Sequence, residues 1–143
     1  MDSEARSAGV IRWVCRMFVR RRQRTMHGVP ETLPMQRFVG DALFQVCIGM
    51  DGVHFVFGRA GTISVHGGWK LFDASGSVVD GAQSPTGRDC YRVHVILNAD
   101  VTACRLDPPH SFSLTFATGH LLTVYDDLPN YESFAIQPDG IYV

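Results

Sequence analysis

The sequence predicts an all-β fold, a small antiparallel sandwich or barrel preceded by a short N-terminal arm that is helical or disordered. Apolar and polar residues alternate in short runs after Phe44, as expected for half-buried strands. Glycine-rich turns separate these runs. Continuous helical periodicity is absent after Met35, which argues against a parallel sheet with crossover helices. The chain of 143 residues fits a single domain, which we predict over residues 35–143.

The first half of this domain is predicted to be a meander of four short strands. Residues at alternate positions of a strand project to the same face, so each run presents one apolar face. The apolar positions are Phe44, Val46 and Ile48, then Val53, Phe55 and Phe57, then Ile63 and Val65, and finally Trp69 and Leu71. Turn residues 49–52, 58–61 and 67–68 separate them.

The second half repeats this rhythm and ends close to the C-terminus. Alternation predicts a strand over 91–97, another over 101–106 and a third over 112–116. Shorter runs follow at Leu122 and Val124 and over 132–136. The turn residues between the runs are Asn98, Asp107-Pro108-Pro109 and Thr118-Gly119.

The two halves resemble each other at an offset of about 60 residues. The segments 55–57 and 63–65, separated by a glycine turn, match 114–116 and 122–124. The segment 69–72 is matched to 131–134. These matches predict an internal duplication of residues 43–79 and 100–143, with each copy supplying three or four strands.

Charge is divided unevenly between an arginine-rich arm and an acidic body. Up to Gly28 the chain carries seven arginines against Asp2 and Glu4, so the arm has a charge of about +5 and the remainder about −6. An acidic body argues against nucleic acid as the main ligand, because nucleic-acid-binding proteins present a basic face. We treat residues 1–34 as this arm plus a linker.

The arm permits two interpretations. Its apolar run contains arginines and is too short for a membrane span, and its charge lies on the wrong side for a signal peptide. A basic helix on an anionic membrane surface remains an alternative. Its candidate membrane or anion contacts are Arg12, Arg16, Arg20, Arg21, Arg22 and Arg24. The other interpretation is a loosely attached extension, with the native start at Met26 or Met35.

The sequence contains no recognised catalytic, cofactor or metal-binding motif. The four cysteines form no C-x-x-C pair and are typical of free thiols in a reducing cytoplasm, where we expect the protein. The six histidines form no H-E-x-x-H or H-x-H pattern, and no G-x-S-x-G motif occurs. We therefore predict no catalytic residues, no metal and no cofactor, and a non-enzymatic role is favoured.

The most suggestive polar feature is a cluster of acidic and aromatic residues near the C-terminus. The candidate partner-binding residues are Asp126, Asp127, Tyr131 and Glu132. Carboxylates beside tyrosines are typical of a surface that captures a basic protein partner. The alternative interpretations are a solvated loop before the last strand and paired carboxylates that do acid–base work or bind a cation.

Three segments resemble a family of small bacterial β-rich domains of unknown function. They are Leu43 to Ile48, the strand pair from Phe112 to Val124, and the closing run from Tyr131 to Ile136. The resemblance covers about residues 37–143 and implies an uncharacterised bacterial protein, some relatives of which act as immunity factors against toxins. It favours a non-catalytic protein-binding module. The alternatives are a small-ligand-binding or enzymatic β-barrel and a peripheral membrane protein.

Overall fold

A computed structural model describes residues 28–82, 90–129, 132–137 and 141–143. These residues form ten strands in two antiparallel five-stranded sheets, which confirms the predicted all-β fold. The strands are β1 (Leu43–Ile48), β2 (Val53–Phe57), β3 (Thr62–Val65), β4 (Trp69–Phe72), β5 (Val78–Gly81), β6 (Val101–Asp107), β7 (Ser111–Phe116), β8 (Leu121–Tyr125), β9 (Phe134–Gln137) and β10 (Ile141–Tyr142). The first 3-10 turn (Gln36–Phe38) precedes β1, and the second (Val93–Ile96) precedes β6.

Each sheet combines three strands from one half of the chain with a hairpin from the other. The first sheet has the order β1-β2-β3-β9-β10, and the second has the order β5-β4-β8-β7-β6. The meander β1-β2-β3 therefore receives the hairpin β9-β10, while β6-β7-β8 receives β4-β5. An antiparallel bridge between Ala42 and Asp100 joins the starts of β1 and β6.

The strand pairing shows which residues of the two halves occupy corresponding positions. A bulge between Leu43 and Gln45 in β1 has its counterpart between Val101 and Ala103 in β6. Trp69 pairs with Val124 near the end of β8, and Phe134 pairs with Val65 at the end of β3, so Phe134 is the counterpart of Trp69. The alignment of 69–72 with 131–134 is therefore wrong in register. The duplication of the sequence stays a prediction.

The core lies between the sheets and is built from the alternate residues that face inward. Phe55 of β2 meets Trp69 of β4 edge-to-face, with ring centroids 5.8 Å apart. Phe112 of β7 meets Phe134 of β9 in the same way at 4.9 Å. All four side chains are buried, and burying each stabilises the fold by about 1.5–3 kcal/mol. These contacts hold the two sheets face to face.

The predicted linker before residue 35 contributes to this core. Val29, Leu33 and Met35 are buried, and the backbone N–H of Val29 donates to the carbonyl of Pro109 at 3.0 Å. Their apolar side chains bury surface against the sandwich although the backbone forms no strand there. Residues 29–35 therefore belong to the packed domain.

The segment 91–97, predicted as a strand, contains the second 3-10 turn instead. Val93 and Ile96 are buried while Val95 is exposed, so the buried residues recur every three positions. Alternating apolar residues suggested a period of two, but the backbone N–H groups bond within the turn and to Asp80. The short strands β5 and β10 were not predicted.

Candidate functional site

The predicted acidic surface falls on the connection between β8 and β9. Asp126 and Asp127 directly follow β8, and Glu132 lies two residues before β9. Glu132 and Asp127 are exposed, whereas Asp126 is partly buried. Tyr131 lies outside the described residues. The structure thus places two of the four predicted residues on the surface of one connection.

The two aspartates of this connection bond to the chain itself. The Asp126 carboxylate accepts hydrogen bonds from Ser133 Oγ at 2.8 Å and from the backbone N–H of Gly28. Asp127 accepts one from the backbone N–H of Gly68 at 2.9 Å. These bonds secure the connection against neighbouring segments, so the carboxylates have a structural role beside any role in binding.

The other predicted contact residues lie outside the described residues. They are Arg12, Arg16, Arg20, Arg21, Arg22 and Arg24. The part of the chain that the structure describes contains no helix with the length and hydrophobicity of a membrane span.

A thiol, an imidazole and a hydroxyl form a row on the outer face of the first sheet. Cys47 of β1 pairs with His54 of β2, and His54 pairs with Ser64 of β3. His54 Nδ1 lies 2.6 Å from Ser64 Oγ, and the rings of His54 and His66 are 6.5 Å apart. No group of three or more His, Cys, Asp and Glu residues in the described ranges could hold a metal ion. Strand pairing brings together here residues that are distant in the sequence.

A buried carboxylate organises the turn between β2 and β3. Asp41 accepts hydrogen bonds from the backbone N–H groups of Ala42, Arg59 and Ala60 at 3.0, 2.7 and 2.6 Å. Burial alone raises the pKa of Asp41, but these donors outweigh burial and hold the pKa below its ordinary value. An adjoining cavity of about 530 Å³ is lined by both arginines of this region, Arg37 and Arg59.

A second buried aspartate attaches the second 3-10 turn to β5. Asp80 accepts hydrogen bonds from the backbone N–H groups of Arg92 and Val93 at 2.6 and 2.8 Å. The turn also contacts β1. It therefore lies along the side of the sandwich where β1 and β5 are the edge strands of their sheets.

Exposed apolar side chains are concentrated on this side, which we call the apolar edge. Seven of the eight large hydrophobic residues that are exposed in the described chain belong to it. Its members are Phe44, Ile48, Met50, Val78, Tyr91, Val95 and Leu97. Phe44 is 75% exposed, and Met50 and Tyr91 line one cavity of about 270 Å³. The eighth residue, Tyr142, lies on β10.

The apolar edge was missed by reasoning from the sequence. Phe44 and Ile48 fit an alternating strand, and alternation predicts that such residues face a core. The available signal was the absence of charge and proline from Leu43 to Met50, which is unusual for an edge strand. That signal becomes informative only when the topology shows β1 to be an edge.

No protein-family model, curated protein or solved structure matches this chain. The resemblance to small bacterial β-rich domains therefore stays a prediction.

Proposed function

We propose that this chain is a non-catalytic protein-binding module whose docking surface is the apolar edge. The observation that carries the proposal is the concentration of exposed hydrophobic residues there. A group of exposed apolar side chains on one side of a small protein is typical of an interaction surface. Burial of Phe44 and its neighbours against a partner would remove this surface from water, which is the main driving force of association.

The backbone of β1 supports the same proposal. An edge strand has unpaired N–H and C=O groups along one side, and proteins usually protect such strands with charges, proline or short length. β6 carries Arg105 and Asp107, and β10 has only two residues. β1 has six residues and no charge, although its bulge after Leu43 limits the part available for pairing. Residues 45–48 can accept an added strand.

Both sides of the sandwich are covered by segments outside the strands. At the side of β6, the buried residues Val29, Leu33 and Met35 pack over the core. At the side of β1, Val93 and Ile96 of the second 3-10 turn are buried in the core, but Val95 and Leu97 remain exposed. A partner at the apolar edge would cover apolar residues in a similar way. A toxin-immunity role, which the family resemblance implies, is one concrete form of this proposal.

Affinity capture with matched variants tests the proposed surface. The tagged full-length chain is compared with Phe44→Lys and with Thr102→Lys, which places the same charge at the corresponding position of β6. We expect a stoichiometric protein partner to be retained by the wild type and by Thr102→Lys but lost from Phe44→Lys. Equal retention by all three chains would exclude the apolar edge as the docking surface.

A double charge reversal tests the acidic surface in the same assay. Asp127→Lys combined with Glu132→Lys changes two exposed carboxylates and leaves Asp126 with its bonds to Ser133 and Gly28. We expect this variant to capture the partner as the wild type does. Loss of capture here, with normal capture by Phe44→Lys, would instead favour the acidic connection.

A further inference from the structure

We propose that the cavity beside Asp41 binds the carboxylate group of a small organic monoanion through the guanidinium groups of Arg37 and Arg59. The cavity has a volume of about 530 Å³, and its lining residues are Arg37, Val39, Gly40, Asp41, Arg59 and Ala60. None of these residues belongs to the apolar edge. The binding site therefore goes beyond the proposed function, and its failure would leave that function untouched.

Two segments that are distant in the sequence bring the arginines to this cavity. Arg37 belongs to the first 3-10 turn, and its Cζ atom lies 5.3 Å from the centroid of the Phe38 ring. Phe38 is fully buried, so this contact holds the half-buried Arg37 side chain against the core. Arg59 lies in the turn between β2 and β3, where its backbone N–H donates to Asp41. A guanidinium group has five N–H donors, so each arginine can bind an anion in addition to its contacts within the chain.

The second half of the chain forms the corresponding turns without arginine. Val95 of the second 3-10 turn corresponds to Arg37. Thr118, in the turn between β7 and β8, corresponds to Arg59. The backbone hydrogen bonds that establish this correspondence are Asp41 N–H to Phe38 and Gly58 N–H to Ala42 in the first half, and Ala99 N–H to Ile96 and Ala117 N–H to Asp100 in the second. Because the same backbone forms without a charge at either position, the fold does not require the two arginines, and this favours a binding role for them.

The charges around the cavity favour a monoanion. Burial raises the pKa of Asp41, but its backbone donors and the charge of Arg59 lower that pKa by more, so the carboxylate is ionised at neutral pH. Both of its oxygens accept backbone hydrogen bonds, Oδ1 from Ala42 and Oδ2 from Arg59 and Ala60. Two guanidinium groups and one carboxylate leave the cavity with a net charge of +1. A monoanion neutralises this charge, whereas a dianion such as hydrogen phosphate exceeds it.

The apolar part of the lining favours an organic anion over an inorganic ion. Val39 and Ala60 are partly buried and pack against the hydrophobic core. A Cβ atom at Gly40 would meet no atom within 4 Å, so the backbone there borders open space. Cavities of about 300–1,000 Å³ hold small organic ligands. A carboxylate also matches the planar donor fork of a guanidinium group, so we expect a carboxylate attached to a small apolar group.

Nuclear magnetic resonance titration of the full-length, ¹⁵N-labelled chain with sodium benzoate tests the site. We expect the backbone N–H signals of Gly40 and Ala60 to shift in a saturable manner, with a dissociation constant below about 5 mM. Benzamide, which has the same ring without the charge, and equal additions of sodium chloride should give no saturable shift. A benzoate titration without saturation, an equal response to benzamide or chloride, or tighter binding of inorganic phosphate than of benzoate would overturn the inference.

Matched variants assign the binding to the two arginines. Arg37→Gln and Arg59→Gln each remove one guanidinium group and should raise the dissociation constant of benzoate at least about tenfold, as expected for loss of a hydrogen bond to a charged group. Arg105→Gln makes the same change on β6, outside the cavity, and should leave the dissociation constant within about twofold of the wild type.

Spectra recorded without benzoate show whether each variant is folded, and the comparison of benzoate with benzamide uses only the wild type. Unchanged affinity in both cavity variants, or an equal loss in Arg105→Gln, would overturn the assignment to Arg37 and Arg59.

Discussion

Gly40 and Asn98 occupy corresponding positions in the two halves of the chain, and both have a positive φ, of 91° and 66°. Each lies three residues before the bulge of its half. The backbone N–H of Gly40 donates to the carbonyl of Val101, and that of Asn98 donates to the carbonyl of Leu43. Each residue thus bonds to the first strand of the other half, and the left-handed backbone directs the chain into that bond.

Substitutions at Asn98 should follow this backbone requirement. Asn98→Gly should change the free energy of unfolding by less than about 0.5 kcal/mol, because glycine adopts positive φ readily. Asn98→Val should lower it by about 1–3 kcal/mol, because a β-branched residue is strained there. Urea unfolding measures both, with Thr102→Val in a strand as the control. Equal stability of the two Asn98 variants would contradict the prediction.

Asp41→Asn should destabilise the fold more than the same change at exposed Asp51. The Asp41 carboxylate accepts three backbone hydrogen bonds, and the amide that replaces it supplies a single acceptor oxygen. The expected loss is about 1–3 kcal/mol, the cost of buried donors left without a partner. Chemical denaturation of both variants at neutral pH measures the difference. A loss at Asp51 as large as that at Asp41 would refute this explanation.

The stabilisation of the fold by the Asp41 carboxylate should decrease as the pH falls. Its pKa in the folded state is lowered, because the backbone donors outweigh the opposing effect of burial, so the unfolded chain binds the proton more tightly. The stabilisation is therefore present above the unfolded pKa of about 3.9 and is lost as pH falls through the folded pKa. The stability difference between the wild type and Asp41→Asn should therefore hold at neutral pH and shrink as the pH falls below about 4. A stability difference between the two proteins that grows as the pH is lowered would contradict this prediction.

Gly52 and Gly49 should respond differently to alanine. A Cβ atom at Gly52 would lie 2.6 Å from the backbone oxygen of Val65, whereas the nearest atom to a Cβ at Gly49 is 3.5 Å away. Gly52→Ala must therefore shift backbone at the end of β3 and should cost about 1–3 kcal/mol. Gly49→Ala should stay within about 0.5 kcal/mol of the wild type. Thermal unfolding of the two variants measures this difference in stability. Equal melting temperatures would contradict the prediction.

Ser133→Ala should loosen the connection between β8 and β9. Ser133 is fully buried, and its hydroxyl donates to Asp126 and accepts from the backbone N–H of Leu128 at 3.1 Å. Removing it leaves both partners without this bond, at an expected cost of about 1–3 kcal/mol. Asp127→Asn, at an exposed carboxylate, should cost less. Hydrogen exchange should show faster exchange at Leu128 in Ser133→Ala, and unchanged exchange would argue against this role for the hydroxyl.

The alternation of apolar and polar residues along the chain predicted most of the strands. Alternation placed β2, β7 and β8 to within two residues, because each has one face in the core. It failed over 91–97, where Val93 and Ile96 are buried three positions apart and Asp80 supplies acceptors that no local pattern reveals. The spacing of apolar residues alone does not show whether a residue such as Val95 or Leu97 lies on a strand or in a turn.

The candidate site was decided by tertiary structure. The sequence by itself determined an all-β chain with an acidic body and an uncharged run from Leu43 to Met50. Only the tertiary structure showed that β1 stays at the edge of its sheet and placed the second 3-10 turn beside it. The physical reason is that hydrophobic periodicity specifies which residues can share a face, whereas the order of strands specifies which edges remain unpaired.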